Sequence, residues 1–226
     1  MSKAKRLLLT IVIVLIAIFV VMQLAIPRLT AKTIEKELAS LGWAESCQAD
    51  VSAWPFWELL SGKVDALHIE AEEATLNQIS VTLLSLDWQN LQWSKNSSWQ
   101  TMPPNEIKIT MDEEALMATL KTNSPFDPTE VRINGGSIDI VGQVELLGQT
   151  IQITTTGTLA LADAGLNLKL NEITVHAGNF SGTLKDKLGK AINIPFDVSP
   201  LPWQVEPTKV EITTGKIEVW AKGGLK

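Results

Sequence analysis

Tyrosine is absent from this 226-residue chain, histidine occurs only twice, and cysteine only once. A single cysteine forms no intramolecular disulfide, so no covalent staple holds the fold and cysteine usage marks no compartment. His68, His176 and Cys47 lie far apart, without the clustered spacing of a zinc site. Nor does any serine sit in a G-x-S-x-G elbow, since Ser61-Gly62 and Ser181-Gly182 lack the flanking pattern. The glycines punctuate hairpins and build no phosphate-cradling loop. No catalytic residue, metal or cofactor is expected. No internal repeat or low-complexity tract appears.

The chain carries one long run without charge, Leu7 to Ile26, preceded by Lys3, Lys5 and Arg6. Twenty residues at about 1.5 Å each span roughly 30 Å, the thickness of a bilayer's hydrocarbon core. The run exceeds a signal-peptide h-region, and Gln23-Leu24-Ala25 makes a poor cleavage site. It reads as an uncleaved transmembrane anchor (7–26), with a cytoplasmic basic N-terminus (1–6) and an extracytoplasmic domain (28–226). With those three cations set apart, 16 Lys and Arg face 25 Asp and Glu. So acidic a domain is not drawn to nucleic acid by long-range attraction.

Pro27 suits the first turn of a new helix, and the stretch to Gly42 places Ala31, Ile34, Leu38 and Leu41 on one stripe. Cys47 falls in an alternating segment and reads as a buried packing thiol. The centre of the chain is Trp54 to Leu91. It opens on an aromatic knot, Trp54-Pro55-Phe56-Trp57, and then alternates in two strand-like segments. Leu67 and Ile69 share one face of the first, Val81 and Leu83 one face of the second. Leu84, Leu86 and Trp88 continue one residue out of phase, which predicts a bulge or sharp bend beside Leu83.

Next comes a strand through Ile107 and Ile109, then a helix over 113–121 capped by Asp112. A glycine-punctuated antiparallel meander follows over 131–177, then a second helix over 181–192. Two closing strands, 209–213 and 216–220, meet at Thr214-Gly215.

These motifs, in this order, resemble the LmeA-like phospholipid-binding family of bacterial envelope proteins. The residues that carry the likeness are Trp54, Pro55, Phe56, Leu59, Leu60 and Gly62, Asp112 to Leu120, Asn134-Gly135-Gly136, Leu201-Pro202, and Val210 to Val219. Trp203 departs from the pattern, standing where a small residue is expected, at the rim of any groove. The resemblance implies an α+β, β-rich fold in which a long curved antiparallel sheet wraps two or three helices, like half of a tubular lipid-binding domain. It also implies an envelope phospholipid or related lipid as partner.

Such a site needs a concave apolar surface with few polar groups. The candidate lining is Ile34, Leu38, Leu41, Trp54, Phe56, Trp57, Leu67, Ile69, Val81, Leu83, Ile107 and Ile109. The same aliphatic residues would serve any core, whereas the aromatic knot exceeds what a turn requires. A structural or assembly protein, docking an envelope component through its apolar face, is the alternative reading.

Overall fold

The computed structural model describes the chain apart from residues 1–2, 43, 45, 77–78, 93–101, 125, 147–148, 163–164, 176–193, 196–202 and 225–226. The expected helix over 181–192, His176 and the Leu201-Pro202 motif therefore lie outside the described residues.

Helix α1 runs unbroken over Lys3–Leu41 with Pro27 inside it. The sequence reading restarts the helix at Pro27, but the chain does not break there. Proline forfeits one backbone bond, to the carbonyl four residues back, yet its fixed φ is helical. The first part of α1 exposes apolar side chains all round, from Leu7 to Leu24. Its last turns bury Ala31, Ile34 and Leu38 and pack along β1 (Ser46–Ser52). Glu35 ties the two together by accepting from the Ala49 N–H at 3.1 Å.

After the one-turn helix α2 (Trp57–Leu60), β2 (Lys63–Leu76) and β3 (Ile79–Gln92) form a long hairpin, followed by β4 (Glu106–Asp112). Asp112 caps α3 (Glu113–Asn123), its Oδ1 accepting from Ala115 N at 2.9 Å. Then come β5 (Asp127–Asn134), β6 (Ser137–Leu146), β7 (Gln149–Ala162), β8 (Gly165–Val175) and the short β9 (Ile194–Pro195). The chain closes with β10 (Gln204–Thr213) and β11 (Lys216–Gly224). The fold is the β-rich antiparallel α+β architecture that the family resemblance implies. Its strands divide between a six-stranded sheet, β1-β2-β3-β4-β11-β10, and a five-stranded one, β5-β6-β7-β8-β9.

In the β2–β3 hairpin both strands turn over together. Val64 and Leu91 are buried as a pair, then Leu67 with Trp88, Ile69 with Leu86 and Ala71 with Leu84, then Ala74 with Val81. The pairing register stays constant, so no residue is inserted on either side. The face changes where Asn90 (φ 52°) and Glu73 (φ 50°) adopt left-handed backbone. The phase change thus spans Thr82 and Leu83, and Leu83 lies on the outer side, opposite Glu72 and Thr110.

Helix α3 bridges the two sheets, burying Ala115, Leu116, Thr119 and Leu120 between β3, β4 and β5. Thr119 accepts from Ser80 N at 2.9 Å, and Glu113 accepts from Ile133 N at 2.8 Å. At the far end two hairpin tips stitch the sheets together. Gly136 N donates to Ile212 O at 3.1 Å, and Gly215 N to Ile133 O at 2.8 Å. Both glycines hold positive φ, 91° and 80°, which a side chain would resist.

Candidate functional site

Antiparallel register puts directly paired residues on the same face, so the pairing of the six-stranded sheet predicts its inner surface row by row. One row runs Ala49, Ile69, Leu86, Ile107, Ala221; the next runs Cys47, Ala71, Leu84, Ile109, Val219, Val210. Both are built of small and aliphatic residues across every strand they reach. Four predicted lining residues, Leu67, Ile69, Ile107 and Ile109, lie together on this face, and Ile34 and Leu38 belong to the same buried cluster. All six are at most 5% exposed, so the face is covered by protein. The α1 stripe covers it along β1, α3 over β3 and β4, and strands of the second sheet reach β10. Val81 is buried farther along the hairpin, beyond the turnover at Glu73, whereas Leu83 is only partly buried. Leu41 closes α1, and its side chain lies outside the described set.

A cavity of about 330 Å³ opens between the tip of the β2–β3 hairpin and α3, near Ala74, Val81, Ala115 and Ala118. Glu73, Asp112 and Glu114 also line it. Three carboxylates repel an anionic phosphate, so this cavity does not suit a phospholipid headgroup.

The aromatic knot has a partner that the sequence reading missed. Trp54, Phe56 and Trp57 surround Phe19 of α1, with ring centroids 5.6, 5.8 and 5.7 Å away. Below them Gln23 uses both ends of its amide. Its Nε2 donates to Ala53 O at 2.7 Å, and its Oε1 accepts from Phe56 N at 2.9 Å. The signal was one polar amide in an otherwise apolar run. Trp54 and Trp57 keep 64% and 52% of their surface exposed.

A family model for LmeA-like phospholipid-binding proteins matches residues 21–221. The chain belongs to this LmeA-like family. Comparison with curated proteins and with solved structures returned no significant match. The family is one of lipid binders, not enzymes, and the match covers all twelve predicted lining residues.

Trp203, expected at a groove rim in this LmeA-like chain, is instead 3% exposed and packs edge-on against Trp88, centroids 5.7 Å apart. The Trp88 indole donates to Met102 O at 2.9 Å, while the Trp203 indole N–H has no partner among the described residues.

The sheet's outer face is polar. His68 sits half-exposed, its Nδ1 2.7 Å from Asp87 Oδ1 and its Nε2 3.3 Å from Glu70 Oε1. Partial burial alone would lower its pKa, but the hydrogen bonds and negative charges of Asp87 and Glu70 outweigh that and raise it. Glu218 binds Lys108 at 2.9 Å and Lys216 at 3.0 Å, which holds its carboxyl below the usual range. Lys108 and Lys209 also flank the Trp220 ring. Cys47 is only partly buried; burial and then the Glu35 charge push its thiol pKa up, which disfavours a reactive thiolate. Among the described residues no three His, Cys, Asp or Glu are grouped to hold a metal.

Proposed function

We propose that this LmeA-like protein is a membrane-anchored, extracytoplasmic phospholipid binder that holds or locally passes envelope lipid without any covalent step. In this reading residues 1–6 are cytoplasmic, 7–26 span the membrane and 28–226 form the lipid-binding domain. The observation that carries it is the family match over residues 21–221. Support comes from the aliphatic rows of the six-stranded sheet and from the uncharged run ahead of them.

The acyl chain is assigned to the inner face near Leu67 and Ile69, beside β1, where the α1 stripe lies, with Ile107 and Ile109 farther across the sheet. Ala31, Ile34 and Leu38 are the movable cover, and Glu35 to Ala49 N is its polar tie. An acyl chain replacing that stripe exchanges one apolar contact for another and leaves no void. Each methylene that it buries contributes about 0.8 kcal/mol. The outer-face histidine, held between two carboxylates, serves the ion pairs and not a nucleophile.

Native mass spectrometry of the full chain, released from detergent micelles, tests the proposal. A bound mass matching phospholipid is expected, and Leu67→Asp should remove it. A chain that stays empty after incubation with phospholipid vesicles would overturn the reading and favour a docked protein partner.

A further inference from the structure

Outside α1, four large apolar side chains are strongly exposed among the described residues: Trp54, Trp57, Leu60 and Leu161. Three of them belong to one ten-residue turn, 53–62, between β1 and β2. That turn sits beside α1 at Phe19 and Gln23, inside the uncharged run Leu7–Ile26 and not above it. Phe19 precedes Ile26 by seven residues, which is about 10 Å along a helix axis, and Gln23 precedes it by three, about 5 Å.

The backbone of the turn is also prepared for a layer poor in water. Glu58, Leu59, Ser61 and Gly62 donate to carbonyls within the turn, Trp54 N to Asp65 Oδ2, and Phe56 N to Gln23. Ala53 O accepts from the same glutamine, and the Ser61 hydroxyl from its own side bonds Glu58 O. Unpaired backbone groups are what bar ordinary loops from lipid, and six N–H groups of this turn are paired. Glu58 is the one charge in the turn, which limits it to the interfacial layer where tryptophan is favoured. Arg28 and Lys32 are exposed on α1 just past Ile26, which on the anchor reading puts them at headgroup height.

We propose that the turn 53–62 inserts Trp54, Trp57 and Leu60 into the outer leaflet of the bilayer that α1 spans, seating the domain in the membrane. The proposal rests on the anchor reading above. The seated end carries Val51, Val64 and Leu91, so the apolar face of the sheet begins next to the leaflet and runs away from it. Lipid reaches that face at its membrane end.

Because α1 contains no tryptophan, tryptophan emission reports on the domain alone. The full chain is reconstituted into phosphatidylcholine–phosphatidylglycerol vesicles whose acyl chains are brominated, either near the headgroup or at mid-chain, and alkaline carbonate extraction is run in parallel. The expected result is resistance to extraction, loss of about a quarter of the emission (two tryptophans of eight), stronger quenching by the shallow bromines, and no such loss in Trp54→Phe/Trp57→Phe. Release by alkali would overturn the span and the seating with it. Retention without quenching, or quenching undiminished in the double variant, would overturn the seating alone. The quenching of the unaltered chain needs no variant to fold.

Discussion

Replacing Gln23 by leucine sets two effects of opposite sign against each other. Leucine makes the apolar run more hydrophobic and a better membrane segment by any transfer scale. It also removes the amide that serves Ala53 O and Phe56 N at 2.7 and 2.9 Å. A backbone group left unpaired away from water costs about 1–3 kcal/mol. For the Phe56 N–H that corresponds to roughly 5- to 150-fold faster amide exchange by local opening, with the sheet interior unaffected. Hydrogen exchange of the full chain in nanodiscs, read at peptides covering 53–62 and 105–112, measures both. The turn should lose protection in Gln23→Leu while the β4 segment keeps it. Equal protection in the variant and the parent would refute the idea that this amide holds the knot onto the helix.

Two neighbouring glycines should respond differently to alanine. Gly136 holds φ 91° with no atom within 4 Å of an added Cβ, so its penalty is backbone strain alone, about 1–2 kcal/mol. In a domain of this size that lowers Tm by about 2–8 °C in a thermal melt. Gly135→Ala, without positive φ and with equal space, should leave Tm unchanged or raise it, and similar losses at both positions would contradict the assignment. The raised pKa of His68 gives a pH signature. A folded-state pKa above the unfolded value, about 6.5, contributes stability fully present below that pH and lost as pH rises through the folded value. Melting curves across that window should show Tm falling with pH in the parent, and the trend should flatten in His68→Gln.

What the sequence made legible was local. Alternation located the strands, Asp112 announced the start of α3, and Thr214-Gly215 marked the last hairpin. Pairing between distant segments was not legible, because alternation says that a residue faces inward but not which strand lies beside it. Ile109 and Val219 are register partners although more than a hundred residues separate them, so the division into two sheets had no local trace. Leu83 was assigned to the apolar face because period two was carried one position too far, past a left-handed residue on the opposite strand. The apolar face itself was half legible. Leu67, Ile69, Ile107 and Ile109 do turn inward, yet groove and core draw on the same side chains, and only packing shows that this face is covered. Trp203 was judged by motif position and proved to be a core residue packed edge-on against Trp88.

The unbroken course of α1 through Pro27 bears on how far lipid can travel. No flexible tether separates the apolar run from the stripe at Ala31, Ile34 and Leu38; about 8 Å of continuous helix does. A soluble carrier ferries its cargo by diffusing between two bilayers. On the proposed reading, with α1 as the span, this domain stays tied to a single bilayer, more berth than ferry. On that reading, cargo would leave it only towards an acceptor that comes alongside.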